Sequence, residues 1–273
     1  MQQAVIVDAV RTPMGRGKPG GGGYFECVHP VELLRQTIMA LVERNDLDPE
    51  VVDDVIVGCV SQGGEQAYAP GRMAWLGAGY PDTVPSVTVD RKCGSSQQAV
   101  HFAAASIMSG MQDIVLAGGI ESMSRVPMGS ARMGKDTMGP SANARYAPGF
   151  ISQGISAELV AARWKISRED MDRYAARSQG LAAAACQTGS FKNEIIPVKF
   201  ESNSGEQVIS KDQTIRGDTA FDKLSGLRVV FEDAAIAKRF PEINWSVTAG
   251  NSSQMADGAA MTLIMSERRA NEL

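Results

Sequence analysis

The chain has 273 residues, 44% hydrophobic and 21% charged, a balance that allows a sizeable apolar core. Its length fits one large domain or two smaller ones. A net charge of −4 argues against nucleic acid or an anionic membrane as the main partner, and no run approaches the roughly 18 apolar residues of a membrane span. The cysteines (27, 59, 93 and 186) show no CxxC spacing, and His29 and His101 are the only histidines. No metal site is expected, and a reducing, cytoplasmic setting is.

In chain order, Ala4–Ala9 reads as an apolar strand with partners on both sides, and no leader segment precedes it. The glycine-rich loop from Gly15 to Gly23 lacks a Gly-Lys-Ser/Thr ending or GxGxxG spacing, so it reads as a flexible connection rather than a phosphate cradle. Pro30 opens a helix with Val31, Leu34, Ile38, Leu41 and Val42 on one face. Val55–Val60 is a second strand, and Gly71–Leu76 lies in a second helix. Ser86–Val89 then reads as strand, Gln97–Met108 as helix, and Ile114–Ala117 as a short strand stopped by Gly118-Gly119. This alternation predicts a layered α/β domain with parallel pairing.

Cys93 falls at the turn between the third strand and the third helix. There a thiol lies near unpaired backbone N–H groups and the positive end of the helix dipole, which favour the nucleophilic thiolate. Gly94 permits close backbone approach, and Ser95 or Ser96 is placed to cap the helix. The helix itself is apolar or small almost all round, which predicts packing on both sides and a buried end for Cys93. From position alone, nucleophile and buried structural thiol remain equally open.

Residues 120 to 153 are rich in Met, Gly, Ser, Arg and Pro, with little periodicity. Their methionines fit either core filler or an adaptable wall for a substrate tail. Helices follow over 155–164 and from a capping box at Ser167-Arg168-Glu169-Asp170 to about Gly189. Ile195–Phe200 and Gln207–Ile209 read as strands around a turn at Asn203-Ser204-Gly205. From Ser246 the run VTAGNSSQMADGAAMTLIMS ends in a buried strand, and a helix starts at Glu267.

Several of these segments recur together in one family. Asp90-Arg91-Lys92-Cys93-Gly94-Ser95-Ser96, Leu116-Ala117-Gly118-Gly119-Ile120-Glu121-Ser122-Met123-Ser124 and Val247-Thr248-Ala249-Gly250-Asn251-Ser252-Ser253 resemble the thiolases (acetyl-CoA acyltransferases). Ala9-Val10-Arg11-Thr12-Pro13-Met14-Gly15 and Asp257-Gly258-Ala259-Ala260 agree, so the resemblance runs the whole length of the chain. It implies a layered αβα domain over 1–119, an inserted loop domain that binds CoA and substrate over 120–245, and a return to the first sheet from 246, with 246–273 ending in the start of a further part.

The resemblance also implies chemistry. Cys93 would attack the carbonyl of a 3-ketoacyl-CoA, release acetyl-CoA and pass its acyl group to CoA, a sequence that suits a thiolate as nucleophile and leaving group. The N–H of Cys93 would contribute to an oxyanion site. Arg216, in Thr214-Ile215-Arg216-Gly217-Asp218-Thr219, would contact the CoA nucleotide, and Ser253 the pantetheine arm, with Asn251 fixing the turn before it. No cofactor beyond the CoA thioester substrate is implied. A homodimer or dimer of dimers through the first domain is, with Gly71-Arg72 and the strand before Cys93 as interface elements.

Two departures bear on substrate. Ser152-Gln153 stand where short-chain members carry His-Met, and Lys223 where a small serine meets CoA, so a broader, bulkier 3-ketoacyl-CoA is expected than acetoacetyl-CoA. A second, duplicated α/β domain with a Gly-His-Pro histidine and a Cys-x-Gly cysteine is expected to be largely absent, because no histidine follows His101 and no cysteine follows Cys186. His101 cannot substitute as base, lying about 12 Å along the helix from Cys93 at 1.5 Å per residue. The chain alone is therefore expected to turn over little substrate. A non-catalytic acyl-CoA-binding protein and another condensing enzyme of the same superfamily are the alternatives; the Gly118–Met123 run favours thiolase over ketoacyl synthase.

Overall fold

The computed structural model describes residues 2–203 and 205–273. Ser204, at the centre of the turn read at Asn203-Ser204-Gly205, lies outside the described residues. In chain order the first elements are β1 (Ala4–Arg11), β2 (Gly15–Arg16), α1 (Pro30–Arg44), β3 (Asp54–Gly58), α2 (Pro70–Gly77) and β4 (Ser86–Val89). Then come α3 (Ser95–Met108), β5 (Ile114–Ser122), α4 (Gly139–Arg145), α5 (Gln153–Trp164) and α6 (Arg168–Gln187). The hairpin β6 (Val198–Ser202) and β7 (Gly205–Ile209), the short helices α7 (Phe221–Ser225) and α8 (Ala234–Arg239), β8 (Ala256–Ser266) and α9 (Glu267–Glu272) complete the chain. None of the helices among the described residues is long and apolar enough to cross a membrane.

Two compact units result. The first comprises the chain up to residue 133 with 191–214 and 255–273, and the second 134–190 with 215–254. These limits differ from 119/120 and 245/246 for local reasons. β5 continues through the glycine pair to Ser122, and Asp257, at the start of β8, binds the backbone N–H and hydroxyl of Ser124 at 2.9 and 2.5 Å. Residues 191–214 join the first unit through Arg11. Its guanidinium donates to both oxygens of Asp212 at 2.7 and 3.0 Å, to Glu194 at 2.7 Å, and lies over the ring of Phe191.

In the first unit the sheet has the order β1-β8-β5-β3-β4, with β2 paired to β8. β3 runs parallel to β4 and β5 as the alternating pattern predicts, but β8 is antiparallel to both β1 and β5. Strand direction depends on the end from which the chain re-enters the sheet, and that is invisible in local pattern. Successive strand residues face opposite layers. Val55, Val57, Leu116, Met261 and Leu263 pack with Leu33, Leu34, Ile38 and Leu41 of α1 and Trp75 of α2. Ile56, Val115, Ala117 and Ile264 pack with Ala99, Ala103 and Ile107 of α3. This is the expected αβα layering.

Two expectations about burial fail. β1 is an edge strand, paired by β8 alone over most of its length, and Ile6 is 65% exposed. α3 buries one face only; Gln97, His101, Phe102, Ala105 and Met108 are exposed. Apolar composition on a second face fits burial but cannot supply the surface that covers it.

The glycine-rich loop also differs from a free connection. Gly15 and Arg16 pair with Asp257 and Ala256, and the Gln213 side chain accepts from the N–H groups of Arg16 and Tyr24 at 2.8 and 3.0 Å. Glu26 takes further loop amides, so donors that a phosphate would need already have a carboxylate.

In the second unit, Ser167 and Asp170 form the expected capping box of α6. Ser152 caps α5, accepting from the N–H of Ile155 at 3.3 Å, which gives the serine found there a local structural reason.

The Asp212 side chain is fully buried, whereas Arg11 keeps 21% of its side-chain exposure. Replacing Asp212 by Ala removes the carboxylate from the two terminal nitrogens of a partly buried guanidinium and leaves Glu194 on Nε alone, and chemical denaturation is expected to show a loss of about 1–3 kcal/mol.

Candidate active site

After β4 the chain turns through Asp90–Gly94 before α3 begins. The Asp90 carboxylate accepts the N–H of Lys92 at 2.7 Å and pairs with its Nζ at 2.5 Å. That hydrogen bond from Lys92 holds the Asp90 carboxyl below the usual range. Lys92 adopts φ +50°, a left-handed conformation uncommon outside glycine. The Ser95 hydroxyl closes the turn, accepting from the N–H of Arg91 at 2.9 Å and donating to the carbonyl of Lys92 at 2.6 Å. Ser95 therefore ties the turn backwards instead of capping the helix; Gly94 is the N-cap, and no side chain caps α3.

Cys93 stands at the head of this turn and is exposed, contrary to the buried position its helix composition predicts. An uncapped helix start presents its first N–H groups and the positive end of the dipole to a ligand oxygen. A thiol beside it is open to solvent.

The turn is seated by two glycines that composition did not single out for this role. A Cβ on Gly58, at the end of β3, would lie 2.4 Å from the backbone of Ser95 and Ser96. A Cβ on Gly119 would lie 2.1 Å from Ser96 Oγ and 2.8 Å from the Gly58 carbonyl. Gly118 is tight against β8, where a Cβ would be 2.0 Å from the Ala260 carbonyl. The glycine pair thus does not stop β5. It lets β5 pass under the first turn of α3 and beside β8.

Behind this seat, motif residues serve as ties. The Glu121 carboxylate accepts the N–H groups of Val60 and Ser61 at 2.8 and 3.2 Å and an amide proton of Gln66 at 3.2 Å. Gln66 returns its carbonyl to the N–H of Ser122 at 2.8 Å. The segment after β3 is thereby fixed to the end of β5. Cys59 is buried beside it, and burial with the neighbouring Glu121 charge pushes its thiol up to about 12. Asp257, buried on Ser124, is likewise raised by desolvation.

The histidines are elsewhere in role. His29 caps α1, its Nδ1 accepting the N–H of Val31 at 3.2 Å, and His101 is exposed further along α3. Among the described residues, none of the His, Cys, Asp and Glu side chains form a cluster able to hold a metal ion.

The other two candidate residues belong to the second unit, so Arg216 and Ser253 share a unit with each other and not with Cys93. Arg216 is exposed, its backbone N–H donating to Gln179 Oε1 at 2.8 Å. Nearby, Lys223 Nζ pairs with Asp218 at 2.7 Å, and this contact, with the Arg216 charge as a smaller effect, holds the Asp218 carboxyl low. Ser253 is exposed at the end of a built turn. Asn251 Oδ1 accepts the N–H of Thr248 at 2.8 Å, and Ser252 Oγ donates to the Thr248 carbonyl at 2.6 Å.

The thiolase N-terminal domain family matches residues 4–268. The chain belongs to the thiolase family. It is 40% identical, over its whole length, to a steroid 3-ketoacyl-CoA thiolase of Mycobacterium tuberculosis, of which it covers 64%. A 3-ketoacyl-CoA thiolase of Shigella boydii is 44% identical and covered to 67%. The crystal structure of the Bacillus anthracis acetyl-CoA acetyltransferase matches the whole chain with a TM-score of 0.83 at 35% identity, again over 67% of that protein. This thiolase chain therefore spans about two thirds of the length of these relatives.

Two outcomes follow from the site's geometry. Gly119→Ala should push the start of α3 off the sheet, costing about 1–3 kcal/mol in denaturant melts and slowing alkylation of Cys93. At pH 8, iodoacetamide mapped by mass spectrometry should leave Cys59 unmodified, because a buried thiol raised to about 12 stays protonated there, and should label the exposed Cys93.

Proposed function

We propose that the chain carries the nucleophilic half of a thiolase acting on 3-ketoacyl-CoA, with Cys93 forming the acyl-enzyme. One observation carries this reading: an exposed thiol at an uncapped helix start, held there by a strained turn and two glycine contacts. Attack of the Cys93 sulfur on the 3-keto carbon forms a C–S bond. Cleavage between C2 and C3 then releases the acetyl-CoA carbanion, which takes a proton, and leaves an acyl thioester on Cys93. CoA resolves the thioester and returns the thiolate. The negative charge that develops on the attacked oxygen is stabilised by first-turn N–H groups of the kind α3 leaves uncapped.

Proton transfer is not provided by either histidine: His29 is engaged at α1, and His101 lies about 12 Å along the helix from the sulfur. The base that completes turnover is proposed to be a group other than these two histidines. Arg216, a planar cation on an exposed loop, is proposed to meet the CoA nucleotide, and Ser253 the pantetheine arm. CoA thioester is the only organic group required, with no resident cofactor.

The substrate is proposed to be a degradative 3-ketoacyl-CoA bulkier than acetoacetyl-CoA, as in fatty-acid β-oxidation. Ser152 and Lys223 at the departing positions support this, and so does the likeness to the mycobacterial steroid 3-ketoacyl-CoA thiolase. A cytoplasmic homodimer, or dimer of dimers, is part of the same reading. β4 lies at the sheet edge with Val87 exposed, a strand able to pair with a second copy.

Incubation with a 3-ketoacyl-CoA or acyl-CoA, followed by peptide mass spectrometry, should show an acyl group on Cys93 that is lost in Cys93→Ser. Acylation at Cys186 or Cys27 instead would overturn the assignment. No acylation alongside measurable CoA binding would favour a protein that holds acyl-CoA without chemistry.

A further inference from the structure

The second unit contains a partly buried polar chain that joins the end of α7, the helix following the loop with Arg216, to the turn that leads to Ser253. Arg168, in the first turn of α6, donates from Nε to Asp172 at 2.6 Å. From Nη2 it donates to three carbonyls at the end of α7 and just beyond: Leu224 at 2.6 Å, Leu227 at 3.0 Å and Ser225 at 3.3 Å. Asp172 has no side-chain exposure, and its other oxygen accepts the side-chain amide of Asn251 at 2.9 Å. Asn251 in turn donates to the Ser246 carbonyl at 3.2 Å and holds the Thr248 N–H.

The same two segments touch directly. A Cβ on Gly250 would lie 2.5 Å from Leu227 and 2.6 Å from Leu224, and Val230 donates its N–H to the Val247 carbonyl at 3.1 Å. From the opposite end, the buried Glu158 of α5 accepts the N–H of Ser246 at 3.0 Å, its hydroxyl at 2.9 Å and the N–H of Val247 at 2.8 Å.

We propose that Arg168 and Asp172 form a clamp that sets the spacing between the segment carrying Arg216 and the turn carrying Ser253, and so makes these positioning residues for the whole length of CoA. This rests on the proposed roles of Arg216 and Ser253. A ligand that engages two sites at once gains only while their separation matches its own length. A clamp built on charge-assisted hydrogen bonds, at 2.6 Å from Arg168 to both the buried Asp172 and the Leu224 carbonyl, is suited to hold such a separation, because bonds of this kind lose much when displaced. Arg168 and Asp172 act through the end of α7 and through Asn251.

The test compares CoA with pantetheine, which lacks the nucleotide, by calorimetric titration of the full chain. In the unaltered protein CoA should bind more tightly than pantetheine, and Arg216→Ala should remove most of that advantage. Asp172→Asn keeps an acceptor for Asn251 and loses the charge facing Arg168. It should lower the ratio of CoA to pantetheine affinity by about ten-fold, with Cys93 alkylated by iodoacetamide at an unchanged rate. Arg168→Lys keeps the charge but cannot hold Asp172 and three carbonyls together. It should act in the same direction, and should have little further effect once Arg216 is Ala.

A merely structural role would lower the melting temperature and leave the affinity ratio untouched, and that result overturns the clamp. If Arg216→Ala lowers the ratio while Asp172→Asn and Arg168→Lys do not, the clamp fails and the CoA assignment stands. If the unaltered chain prefers CoA no more than pantetheine, the assignment itself fails, and the clamp with it.

Discussion

The first turn of α3 lies closer to the sheet than any side chain permits, and the first unit is arranged around that contact. Gly58 and Gly119 carry no Cβ because the backbone of Ser95 and Ser96 and the hydroxyl of Ser96 occupy the space. Glycine in a strand interior weakens the strand through entropy and lost packing. Here the gain is a helix start held hard against two parallel strands, with Cys93 projecting from its edge. Neighbouring polar side chains then serve the same geometry. Glu121 and Gln66 bind the segment that follows β3, and Asp257 binds Ser124, so the strand ends around the turn cannot splay.

A second constraint governs the other unit, where packing is carried by carboxylates as much as by apolar side chains. Glu158 and Asp172 are almost wholly buried; Glu158 accepts backbone N–H groups and a serine hydroxyl, and Asp172 accepts the Arg168 guanidinium and the Asn251 amide. A buried carboxylate without partners would be costly, so such groups specify one arrangement of the loops they bind. Loops of small polar residues such as Ser246–Ser253 have little apolar surface with which to hold a shape. Their order comes from α5 and α6, which lie far away in sequence.

Much of this was legible residue by residue. The strand at Ser86–Val89, the helix after it, the capping box at Ser167 and the α1 face were readable because each depends on local periodicity or on a cap within a few positions. The importance of the turn at Cys93 was readable too, as a thiol between a strand and a helix. What failed depended on distant partners. Nothing local shows that β8 enters antiparallel, that β1 is an edge, or that Gly118-Gly119 continues a strand instead of ending it. The exposure of Cys93 is not written in its helix: an apolar helix asks for cover on both sides, and composition records the demand for burial but not its supply.

The sequence by itself determined the family, the alternation of strands and helices, and the chemical types at the site: a lone cysteine at a helix start, an arginine and a serine in later loops, and a histidine, His101, too far along the helix to reach the sulfur. These are properties of residue identity and short spacing. Only the tertiary structure decided that the helix start rests on Gly58 and Gly119, that Ser95 ties the turn instead of capping it, and that Arg168 and Asp172 reach both later loops. Each of those contacts joins residues brought together by packing, where the exclusion of one Cβ or the burial of one charge fixes the geometry.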